Sequence, residues 1–178
     1  MPRYVAFLRA INVGGHTVRM ETLRAHFESL GLANVETFIA SGNVIFETRA
    51  AAAALERKIE ACLLEALGYE VATFLRTDRE VAAIADYRPF AEAAMKSARA
   101  LCVGFLGAAP TPAARRLILG LRTAIDDFHV EGRELYWMCR KGQSESRFSN
   151  TVFERTVRMR ATFRGMNTVR RLARKYPA

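Results

Sequence analysis

The pattern strand, helix, hairpin, helix, strand runs twice along the chain. Each pass turns its hairpin at a glycine, and several strands carry apolar side chains on both faces. These observations predict an α+β fold: a tandem repeat of two ferredoxin-like (split βαβ) units with antiparallel sheets and extra helices. Right-handed crossovers and short connections leave few other ways to close such a unit. The expected boundaries are 1–86 for the first repeat, 87–98 for a join and 99–178 for the second repeat.

In the first pass, RYVAFLRA (3–10) is apolar on both faces, as expected of a central strand. Met20, Leu23, Phe27 and Leu30 recur at helical spacing until Gly31 stops the helix. VETFIASGNVIFET (35–48) reads as two strands turned at Ser41-Gly42-Asn43, with Val35, Thr37 and Ile39 alternating against Phe38 and Ala40. Leu55, Ile59, Leu63 and Leu67 mark a second helix closed by Gly68, and EVATFLRT (70–77) is the next strand. Thr77 and Glu80 form a capping box for a short helix reaching Ala85.

The second pass follows the same order. RALCVGFLG (99–107) is again a central strand, and Thr111-Pro112 starts a helix whose apolar stripe is Ala113, Leu117 and Leu121. DDFHVEGRELYWMC turns at Gly132, which follows Gly42 by 90 residues. A helix containing Phe153, Thr156 and Val157 comes next, then a short ATFR strand and a last helix. A single module of this kind leaves one sheet face wet. The two-sided strands therefore predict that the second face is covered, by the other repeat or by the extra helices.

Composition is that of a folded globule: 178 residues, 51% hydrophobic and 25% charged. The N-terminal apolar stretch is short and interrupted by Arg9, so it does not read as a signal peptide. No run approaches the roughly 20 apolar residues of a membrane span. A cytoplasmic location with no membrane partner is expected. Cys62, Cys102 and Cys139 are odd in number and far apart, which predicts buried, reduced thiols. Of the net charge of +9, the stretch from Arg155 onward supplies +8 and holds no acidic residue.

LRAINVGG with METLR, then SGNVIF, then ATFRGMNTVRRL near the C-terminus resemble the signature segments of the bacterial family known as domain of unknown function 1697. The likeness spans essentially the whole chain. It implies a tandem ferredoxin-like fold and a bacterial cytoplasmic protein, and brings no established activity, substrate or cofactor. Arg164, Asn167 and Thr168 match the family pattern. Ala10 stands where Gly is usual, and Gly165-Met166 where Asn-Trp is usual, so no site built on that Asn or Trp carries over.

Candidate sites follow from charge and from loops. On a wheel advancing about 100° per residue, Val169, Leu172, Ala173 and Tyr176 share one face of the last helix, and Arg170, Arg171, Arg174 and Lys175 share the other. Arg164, Asn167, Arg170, Arg171 and Arg174 form the expected anion-binding set. Asn12, Gly14 and Gly15 form a secondary ligand loop, which backbone angles with φ above zero explain equally well as a turn. GxGxxG and GxxxxGK[ST] are both absent.

His16, His26 and His129 have no metal-ligand spacing, so no metal is expected and no cofactor is assigned. GQSES (142–146) resembles GxSxG but lacks the final Gly. Trp137 is expected in the core. Asp126-Asp127 are expected to shape a turn, and Ser146 and Ser149 to cap the following helix.

The charge distribution therefore points to a binding or accessory protein for an anionic partner through the basic C-terminal helix, the partner being a nucleic acid or other polyanion, a nucleotide, or an acidic protein. The alternatives are an enzyme acting on a small phosphorylated or carboxylated substrate at the NVGG loop, and a homodimeric interaction module.

Overall fold

In the computed structural model, which describes residues 1–11, 15–39 and 42–178, the RYVAFL run is the strand β1 (Arg3–Leu8). Then come α1 (Met20–Ser29), β2 (Ala33–Thr37), β3 (Asn43–Glu47), α2 (Ala52–Leu67), β4 (Thr73–Thr77) and α3 (Asp78–Asp86). The second pass holds α4 (Glu92–Ser97), β5 (Ala100–Leu106), α5 (Pro112–Leu119), β6 (Asp126–Glu131), β7 (Glu134–Cys139), α6 (Asn150–Val157), β8 (Ala161–Gly165) and α7 (Met166–Lys175). A 3-10 turn at Gln143–Glu145 lies between β7 and α6.

The predicted α+β class is present as two four-stranded antiparallel sheets, ordered β2-β3-β1-β4 and β6-β7-β5-β8. In each, the first strand of the pass is central, paired on one side with the hairpin and on the other with the last strand. The chain divides into two compact units, Met1–Ala83 with Leu172–Ala178, and Ile84–Arg171. The sequence reading kept all of 99–178 in one repeat, whereas the last seven residues group with the first unit.

Two local expectations change. The stretch read as a join contains α4. The first hairpin strand stops at Thr37, and Ile39 takes a left-handed φ of 61° and is exposed. Ser41 of the turn lies outside the described residues, but Gly42 is described: its φ is 82°, and an added Cβ would sit 2.8 Å from Ile11. Both the backbone angle and the close approach require glycine there.

Helices cover one face of each sheet. In the first unit Leu8, Val44, Phe46 and Leu75 pack with Leu23 and Phe27 of α1 and Leu55, Ile59 and Leu63 of α2. In the second, Leu106, Phe128, Leu135 and Trp137 pack with Ile118 of α5 and Phe153 and Val157 of α6. The opposite faces are covered as well, since Val5 and Phe7, and Val103 and Phe105, are fully buried. Continuous apolar runs are what a central strand buried on both sides demands. Among the described residues no helix is long and apolar enough to cross a membrane.

At Gly104 the second core leaves no room for a side chain, because the Phe163 ring of β8 lies across it and a Cβ there would come within 2.7 Å of the ring. That ring is itself enclosed by Trp137, Phe148 and Phe153. A second constraint is polar. The buried Asp126 carboxylate accepts hydrogen bonds from Trp137 Nε1 (2.9 Å), Thr123 Oγ1 (2.8 Å) and Ser146 Oγ (2.8 Å), tying β6, β7 and the following loop together. Burial alone would raise its pKa, but those three donors and the Cys139 thiol together outweigh it and hold the carboxyl below its ordinary value.

Two stability predictions follow from these contacts. Gly104→Ala forces Phe163 to move and should cost about 1–3 kcal/mol in urea unfolding. Asp126→Asn should cost about 1–3 kcal/mol at neutral pH by leaving donors imperfectly paired. The depressed Asp126 pKa adds stability that is complete above its unfolded value and is lost as pH falls through the folded one. An acid titration of unfolding free energy should therefore show that loss in the wild type and a correspondingly smaller one in Asp126→Asn.

Candidate functional site

The site is set by a strand that runs directly into a helix. β8 pairs antiparallel with β5, with Val103 opposite Arg164 and Cys102 opposite Gly165, and α7 starts at the next residue, Met166. The first turn of α7 therefore begins beside the start of β5, the strand that α4 precedes.

Arg164 is not at the surface. Its guanidinium is buried in β8, where Nη1 donates to Thr162 Oγ1 (2.9 Å) and to the Phe163 carbonyl (2.9 Å). Burial lowers its pKa to about 10, which still leaves it a cation at neutral pH. The first unit repeats the device. Arg76 of β4 lies opposite Val5 as Arg164 lies opposite Val103, is 0% exposed, and donates from Nη1 to the Leu75 carbonyl at 2.8 Å. A buried cation is tolerated only where hydrogen bonds satisfy it, so both arginines belong to the framework. The signal for Arg76 was in the sequence, where ATFLRT (72–77) echoes ATFRG (161–165), each with one arginine in an apolar strand.

Asn167 and Arg170, on the first two turns of α7, line a cleft of about 560 Å³ within the second unit. The other cations of this cleft escape a sequence reading: Arg88 and Lys96 lie in the stretch read as a join, and Arg99 at the start of the strand after it. Cations on either side of a short helix were the available clue. Lys96 pairs with Glu92 at 3.1 Å. Arg88, Arg99 and Arg170 make no ion pair among the described residues. Tyr87 holds the chain next to Arg88 in place: its hydroxyl lies 2.8 Å from His129 Nε2 and donates to Glu131 Oε2 at 3.0 Å.

The apolar part of the cleft is formed by Met95, Leu101, Cys102 and Met166. Gln143 Nε2 donates to Cys102 Sγ at 3.1 Å. Burial, and then the neighbouring Cys139, push the Cys102 pKa up to about 11. At neutral pH this sulfur is a thiol and a poor nucleophile.

The rest of the predicted set is dispersed. Arg171 and Arg174 are exposed, and Arg174 falls in the part of α7 that groups with the first unit. There Lys175 lies 3.9 Å from Glu36 and above the Phe38 and Tyr176 rings, and the Tyr176 hydroxyl donates to Glu36 at 2.7 Å. The basic stretch thus finds a carboxylate elsewhere in the fold. Of the second cluster, Asn12 and Gly14 lie outside the described residues. Gly15 has a φ of 82° with open space around it, as a turn requires. Trp137 is in the core, and Ser149 caps α6 through the Val152 amide. Among the described residues no group of three or more His, Cys, Asp or Glu could hold a metal ion.

The model of a family described as "Protein of unknown function (DUF1697)" matches residues 1–136. No curated protein matches the chain. A conserved bacterial protein, SP0830 from Streptococcus pneumoniae, has a similar structure, with a TM-score of 0.70 at 20% identity over 97% of each chain. At that identity the likeness shows the fold alone.

The contrast between framework and cleft arginines is measurable. Arg76→Ala and Arg164→Ala should each cost about 2–4 kcal/mol through lost packing and hydrogen bonds. Arg88→Ala, Arg99→Ala and Arg170→Ala should stay within about 0.5 kcal/mol of wild type. Urea unfolding of the five variants checks both statements.

Proposed function

The chain belongs to the DUF1697 family, and from that premise we propose that it is a cytoplasmic binding protein for an anionic partner, built from two ferredoxin-like units, with the cleft of the second unit as its site. The sheet orders and crossovers support the fold reading. The observation that carries the functional one is the convergence of Arg88, Arg99 and Arg170 on one concavity without ion-pair partners. Three cations lining one open space without carboxylate partners present a positive field that an anion would complement. The focus of binding moves from the whole C-terminal helix to its start: Asn167 and Arg170 take part, Arg164 supports from within, and Arg171 and Arg174 are peripheral.

The test is retention on heparin. The triple variant Arg88→Ala, Arg99→Ala, Arg170→Ala should elute at clearly lower salt than wild type while keeping its thermal midpoint. Each lost charge-assisted contact is worth about 1.5–3 kcal/mol, roughly ten-fold or more in affinity. Unchanged elution overturns the reading. Loss of retention in Arg171→Ala, Arg174→Ala instead would place binding on the exposed helix and not in the cleft.

A further inference from the structure

Resting on that reading, the geometry points to the kind of anion: a small organic phosphate monoester, its phosphate met by guanidinium groups and the start of α7, its body lying on the apolar side of the cleft. The volume of about 560 Å³ is that of a small-molecule site. One guanidinium would neutralise a carboxylate, whereas three suit a dianion whose oxygens accept forked N–H pairs. Met95, Leu101 and Met166 give a surface that inorganic phosphate alone would leave unused. The cleft has one carboxylate, Glu92, which Lys96 already engages, so binding needs no divalent metal.

The two units supply an internal comparison. With Arg76 and Arg164 in equivalent positions, Asp78 corresponds to Met166 and Glu80 to Thr168. At the start of α3 the chain supplies its own anions. Glu80 Oε2 accepts from the Thr77 amide at 2.8 Å, and Thr77 Oγ1 accepts from the Glu80 amide at 3.2 Å. The first turn of α7 has no acidic residue, and it opens on the cationic cleft. A helix start of this kind favours an external anion, and here the guanidinium groups of Arg88, Arg99 and Arg170 define where that anion sits.

Calorimetry on the full chain with AMP, ribose 5-phosphate, adenosine and inorganic phosphate tests this, with single-stranded poly(U) as the polyanion. At least one monoester should bind ten-fold or more tightly than inorganic phosphate, adenosine should not bind, and EDTA should change nothing. Arg170→Ala should weaken the monoester ten-fold or more. Thr168→Glu, which installs the counterpart of the α3 cap, should do the same while the thermal midpoint holds or rises. Failure of both monoesters, or a requirement for Mg²⁺, overturns the phosphate assignment; so does poly(U) binding that no monoester displaces. If heparin retention still depends on the cleft arginines in those cases, the anion-binding reading survives. If it does not, both fall.

Discussion

Antiparallel pairing of β5 with β8 is the constraint from which the cleft follows. It sets Gly165 opposite Cys102 and starts α7 at the next residue, so that a helix beginning, the end of α4 and the edge of a central strand meet in one place. The same pairing in the first unit sets Arg76 opposite Val5. Each last strand buries one arginine, and leaving it unsatisfied would cost several kcal/mol. Each donates to the carbonyl of the residue before it, a partner the strand itself supplies at no cost in loop order.

From this common frame the two units diverge at the helix that follows. α3 is closed by side chains of its own first turn, the usual solution for unsatisfied amides. α7 has no acid there and begins amid cations. The two helix starts differ in their acidic residues, present in α3 and absent from the first turn of α7. Where two units share a strand order, function is argued from such local differences and not from the fold. In the lining of the same cleft, burial raises the pKa of the Cys102 thiol.

Most of the architecture was legible because it rests on local rules. Alternating or continuous apolar runs gave the strands, glycines with positive φ gave the turns, and the Thr77–Glu80 box gave the start of α3. The wheel of the last helix was also read correctly, with Val169, Leu172 and Tyr176 buried. Arg164 is buried because alternation along β8 sends its side chain inward, whereas a charge count treats every cation as solvated. The cleft was only half seen. Asn167 and Arg170 were named, but Arg88 and Arg99 come together with them through long-range pairing of β5 with β8, which no local pattern encodes. The pairing of Lys175 with Glu36 is equally non-local.

Membership of Leu172–Ala178 in the first unit bears on how the protein is made. A ribosome delivers residues 1–83 early, yet the segment that anchors Tyr176 to Glu36 leaves it only after the whole intervening unit has been translated. At about 5–20 residues per second, that interval is about 4–18 s. The first unit is therefore complete only once the last residues of the chain have been made.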